Sequence, residues 1–141
     1  MSRLFEVSTR LHYGMVFMAE LAASHGTPEP VSLQKLCRES GFMSEAYLEE
    51  VAAAFRAVGL IQGVRGRHGG YRLAKDPQDI SVENIVTALE GPVTLVSCQN
   101  GSPDACPMER RCASKDLWQH VRSGLSATLR GMTLRDVVSA K

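Results

Sequence analysis

Residues 60–74, LIQGVRGRHGGYRLA, interrupt a largely helical sequence with two short β-like runs around a glycine-rich turn. LIQGVRG and YRLA therefore read as the strands of a hairpin with a basic tip. Two short helical patterns stand immediately before it. LQKLCRES starts after a capping Ser32 and stops at Gly41. Ser44 caps a second helix over 44–57, whose Leu48, Val51 and Phe55, with Val58 just beyond, recur at spacings of three, four and three. Two short helices joined by SGFM and followed at once by a basic hairpin make a winged helix-turn-helix pattern.

The flanking sequence is helical. Leu11, Met15, Met18 and Ala22 mark a helix over residues 8–23, which Ser8 or Thr9 can cap. Another helix, from about Ser81 to Leu89, follows KDPQDI and is broken by Gly91-Pro92. Further on, Trp118, Val121, Leu125, Leu129 and Met132 form a long stripe at spacings of three, four, four and three. The fold expected is mainly α with a small β-hairpin wing. It divides into a winged helix-turn-helix domain (1–92), a cysteine-bearing loop (93–113), and a C-terminal dimerisation helix and tail (114–141). Such a stripe must be buried somewhere: a two-fold partner is the common solution, and packing onto its own domain the alternative.

The charge pattern points to nucleic acid. The chain's net charge is only +1, yet residues 60–75 hold Arg65, Arg67, His68, Arg72 and Lys75 with no Asp or Glu. In the 44–57 helix, Ser44 and Tyr47 are hydroxyl donors, and Glu49 can accept from a cytosine amine. Arg65 and Arg67, on a glycine-rich tip, can reach the minor groove or the backbone of double-stranded DNA. Glu45, Glu49 and Glu50 oppose a single Arg56 on that helix and would repel phosphates. Affinity then has to come from the wing and from helix N-terminal amides. The competing reading is a protein-interaction domain with a charged hairpin.

Three of the four cysteines fall within CQNGSPDACPMERRC, residues 98–112. The N-terminus shows no secretory pattern, and no stretch approaches the roughly 18 apolar residues of a membrane span. The reading is a cytoplasmic protein, where thiols stay reduced and a cysteine cluster points to metal or redox chemistry rather than a disulfide. The spacing C-x7-C-x5-C is too wide for a typical zinc knuckle. Spacing alone leaves an iron–sulfur cluster, incidental thiols and a zinc site completed elsewhere all open. Arg110 and Arg111 beside Cys112 would favour thiolates. Cys37, alone in a helix, reads as a small hydrophobe.

STRLHYGMVFMAELA, LEEVAAAFRAVGLIQGVRGRHGGYRLAKDPQDISVENIVTALEG and the cysteine loop together resemble the Rrf2 family of bacterial transcription regulators, over about residues 3–138. The most specific piece is LIQGVRGRHGGYRLAKDPQDIS. The resemblance implies a homodimeric repressor or activator with the long C-terminal helix as its interface. Two-fold symmetry would place two recognition helices about one DNA turn apart, on a pseudo-palindromic operator. It also implies a cluster held by Cys98, Cys106 and Cys112, of the 2Fe-2S or 4Fe-4S type.

The loop departs from the family pattern in two places. Seven residues separate its first two cysteines, where five are usual, and loop closure absorbs that insertion at little cost. In some members the fourth ligand is a His three residues after the third Cys; here that position is Lys115, which when protonated offers no lone pair. Other members take an acidic residue near the start of the first helix of the other subunit. Aligning STRLHYG with that segment puts His12 there, so Cys98, Cys106, Cys112 and His12 form the expected ligand set. Glu6, before the helix, is a poorer candidate. The expected function is a dimeric regulator, a repressor in the first instance, whose operator affinity follows a cluster that senses redox state, nitric oxide or iron supply. The alternative is a cluster-free regulator with thiol-based or small-molecule sensing. A redox or metal-handling enzyme is disfavoured, because the chain lacks a nucleotide-binding glycine fingerprint, a CxxC pair and an evident Ser/His/Asp set.

Overall fold

Serine caps set where the helices begin. In the computed structural model, which describes residues 5–41, 43–100 and 106–140, Ser8, Ser32, Ser44 and Ser81 each accept a backbone N–H from three residues on. These caps start α1 (Thr9–Ala23), α2 (Leu33–Ser40), α3 (Glu45–Ala57) and α4 (Val82–Glu90). Each such cap is worth about 1 kcal/mol against alanine. At α4 the cap is reciprocal, since the Asn84 side chain accepts the Ser81 N–H at 3.0 Å. Gly41, in the left-handed region at φ 75°, ends α2 and begins the turn into α3. Phe42 of that turn lies outside the described residues.

The apolar stripes of these helices meet in one core. Phe17, Met18 and Leu21 of α1, Leu48, Val51 and Phe55 of α3, and Ile85 of α4 are buried together, with Leu33 and Leu36 of α2 at the edge. Phe17 and Phe55 stack at 6.4 Å. Buried Gly14 lets α1 lie close against α3 and α4, because a Cβ there would collide with the Leu89 side chain and sit 3.2 Å from the Phe55 ring.

The hairpin is β1 (Ile61–Val64) paired antiparallel with β2 (Gly70–Leu73), in the register Ile61↔Leu73 to Val64↔Gly70. Ile61 and Leu73 turn inward onto the core, which fixes the base of the wing. Val31 ties its far side to the body: Val31 and Tyr71 exchange two backbone hydrogen bonds of 2.8 and 2.9 Å. That approach requires Gly70, since a Cβ would run into the Val31 carbonyl.

Beyond the cysteine loop, α5 (Lys115–Gly131) lies along α4 without a fully buried residue. Glu83 of α4 clamps it, accepting from Arg130 Nε at 2.8 Å and from the Ser126 hydroxyl. Trp118, Val121 and Leu129 are half-buried, whereas Leu117, Leu125 and Met132 are exposed.

Residues 133–140, read from sequence as a tail, instead form α6 (Leu134–Ser139). Thr133 caps it reciprocally with Asp136, and Leu134 is fully buried against the core. Two backbone bonds of 2.8 Å, Val82 N–H to Met132 O and Leu134 N–H to Ile80 O, stitch its entry to the start of α4. Asp76 holds Arg135 at 3.0 Å. No helix among the described residues is long and apolar enough to cross a membrane.

Candidate DNA interface and cysteine pocket

The recognition helix and wing present two kinds of side chain. Arg65, Arg67 and His68 are exposed at the wing tip and make no hydrogen bond or ion pair among the described residues. Gly66, at φ 120°, and Gly69, whose Cβ would strike the Val64 carbonyl, hold the tight turn that projects them. Ser44 is exposed at the N-terminus of α3, where its hydroxyl caps the helix through the Tyr47 N–H at 3.2 Å.

The remaining residues of the sequence-based set have partners inside the protein. Tyr47 is half-buried, with its ring edge-on to Tyr13 at 6.0 Å. Glu49 accepts a 2.9 Å hydrogen bond from the Tyr71 hydroxyl, which ties α3 to the wing. Burial, then this bond, raises the Tyr71 pKa. Arg72 is half-buried and donates to the Pro28 carbonyl at 3.0 Å, while its Nε is buried without a partner. Arg72 thus braces the wing against the α1–α2 connection, a role its place in a basic run did not disclose.

The second site is a cavity of about 350 Å³ at the N-terminus of α5, and all three loop cysteines line it. Cys98 is exposed on a 3-10 turn over Ser97–Asn100, which Gln99 steadies by accepting the Leu95 N–H at 2.8 Å. Cys106 precedes a second 3-10 turn, Glu109–Arg111, and its carbonyl accepts the Glu109 N–H at 3.2 Å. Cys112 follows that turn and sits just before α5, with Sγ 3.4 Å from the Ser114 hydroxyl. The Ser114 side chain and backbone, with the Lys115 amide and charge, hold the Cys112 thiol below its ordinary pKa. Residues 101–105, the centre of the long interval between Cys98 and Cys106, lie outside the described residues.

Val96, Trp118, Glu109, Lys115 and Arg122 also line the cavity. The periodic stripe assigned Trp118 to helix packing; its place beside the thiols emerges only when the loop folds over α5. Among the described residues no three His, Cys, Asp or Glu side chains are gathered closely enough to hold one metal ion. The thiols share a cavity without converging on a point.

His12 stands elsewhere in the chain. It is exposed on α1, its ring 5.5 Å from that of Tyr13, beside a different cavity lined by Val16, Leu36 and Met43. A single chain therefore does not bring His12 to the three cysteines. Cys37 is half-buried against the core, and burial, then the charge of Glu45, raises its pKa.

A helix-turn-helix braced to a basic hairpin, followed by a long helix, defines a winged-helix, DNA-binding transcription regulator rather than an enzyme. Residues 7–140 match the model of the Rrf2 family of iron-dependent transcriptional regulators, and the chain belongs to that family. It is 34% identical over 134 residues to the regulator CymR of Bacillus subtilis, covering 95% of this chain and 90% of the relative. It is 31% identical over 133 residues to the regulator IscR of Serratia proteamaculans, covering 94% and 79%. The solved structure of CymR, the global cysteine regulator of B. subtilis, superposes with a TM-score of 0.76 over 97% of this chain and 98% of that one. That of IscR from T. potens gives 0.75 at 34% identity, covering 96% and 88%.

Proposed function

We propose that this regulator works as a homodimer whose operator affinity is set by an iron–sulfur cluster held by Cys98, Cys106 and Cys112. The observation that carries this reading is the shared cavity: thiols separated by seven and five residues open on one space. The donor set fits such a group in kind, because thiolates are its usual ligands and the Cys112 environment favours the thiolate. The family description as iron-dependent adds support. Bound there, the cluster would supply a redox- and ligand-responsive centre.

The residues of the chain divide the remaining work. Lys115, at the position of the family histidine, serves poorly as fourth ligand, and His12 of the partner subunit takes that role. The exposed side chains of α5 (Leu117 and Leu125), with Met132 just beyond its end, would pack across the two-fold axis. Ser44 and the α3 N-terminal amides would meet the major groove of a pseudo-palindromic site, with Arg65, Arg67 and His68 on the adjacent backbone. A His12 bond across the dimer would couple the loop to α1, and α1 packs directly on α3 and the wing.

Anaerobic reconstitution followed by iron and sulfide analysis tests this. Iron with equimolar sulfide is the expected result, and His12→Ala should lower retention while Arg65→Ala does not. A wild-type protein without iron would sink the cluster and leave the second reading, a regulator that senses thiol chemistry or a small molecule through the same pocket. The likeness to CymR, whose structure is named for cysteine regulation, favours that second reading.

A further inference from the structure

Lys115 occupies an unfavourable place for a cation. It is the first residue of a 17-residue helix, where the macrodipole is positive. Glu109 meets it, with Nζ 3.1 Å from Oε1, and both side chains stand in the wall of the thiol cavity. Arg122 is the third charged residue of that wall, so the described lining carries two cations and one anion around three thiols.

We propose that Lys115, held in place by Glu109, is the charge-setting residue of the cysteine pocket and raises the reduction potential of the centre bound there. This rests on the cluster reading above. An iron–sulfur centre with thiolate ligands is anionic, and one-electron reduction adds one more negative charge without making or breaking a bond. A cation in the wall of the same cavity stabilises the more negative state more strongly. Val96 and Trp118 line the same cavity and make part of its wall apolar. Lys115 touches the site as a positioning charge and donates no lone pair. Glu109 orients the cation and partly offsets it, so the two side chains act with opposite sign.

The test is a mediator titration of the anaerobically reconstituted full-length protein, with dithionite as the one-electron donor and visible absorption as readout. Lys115→Met should keep wild-type iron and sulfide content but shift the midpoint to lower potential. Glu109→Gln should keep the iron and shift the midpoint upward, and Lys115→Arg should restore the wild-type value. Unmoved midpoints in iron-loaded Lys115→Met and Glu109→Gln would overturn the proposal, as would loss of iron in Glu109→Gln, which would make Glu109 a ligand. A wild-type protein without iron would remove the cluster reading itself, and this proposal with it.

Discussion

Arg65 and Arg72 lie seven residues apart in one basic run, yet they should fail differently on substitution. Arg65 projects from the wing tip with no partner among the described residues, whereas Arg72 is turned inward onto the Pro28 carbonyl. If the proposed dimer sets Arg65 of each wing against a phosphate, it loses two contacts on Arg65→Ala. At about 0.9 per contact, the slope of log K against log salt should then fall by about 1.8. Between roughly 0.05 and 0.2 M salt, the wild type should lose about tenfold more affinity than the variant. Arg72→Ala should leave the slope unchanged and instead lower thermal stability by about 1 kcal/mol, the worth of the lost hydrogen bond. The assay is operator binding by fluorescence anisotropy over a salt series, paired with thermal melts. Equal slopes for wild type and Arg65→Ala, or a reduced slope for Arg72→Ala, would refute the division into a contacting and a bracing arginine.

Other perturbations probe the body and the clamp. Leu134→Ala empties the one fully buried position of α6 and should cost about 2–5 kcal/mol, measured by urea denaturation. Gly70→Ala should detach the wing from Val31, lowering operator affinity while the helical circular dichroism persists. Arg130, then Ser126, holds the Glu83 carboxyl below its ordinary 4.5. The stability from that clamp is present above the ordinary value and lost as pH falls through the lower folded one. Glu83→Gln should therefore flatten the acid side of a melting profile taken over about pH 3 to 6.

Local chemistry explains why much of this architecture is legible in the chain. Each of α1 to α4 begins within a residue of a capping serine, and the hairpin coincides with the one stretch where the apolar period changes. Long-range partners are not legible in this way. Arg72 and Pro28 are 44 residues apart, and Tyr71 and Glu49 are 22 apart, so a basic run and an acidic helix gave no sign of either bond. The α6 helix was missed because six residues offer too few periodic positions, although Thr133 and Asp136 carry a capping-box signal. The cysteine loop was legible as a constellation by spacing. Glu109, Trp118 and Arg122 were absent from it, because only the fold of the loop onto α5 makes them its neighbours.

The bridge between Ser81 and Thr133 closes residues 82–132 into a ring of chain whose two ends meet at one spot. The cysteine loop and the exposed face of α5 lie inside that ring, together with α4. Because α4 lies in the ring and gives Ile85 to the core, only the stretch between α4 and α6 is separable: a related segment with a different cysteine spacing, grafted between Glu90 and Thr133, should leave the DNA-reading half folded as it is.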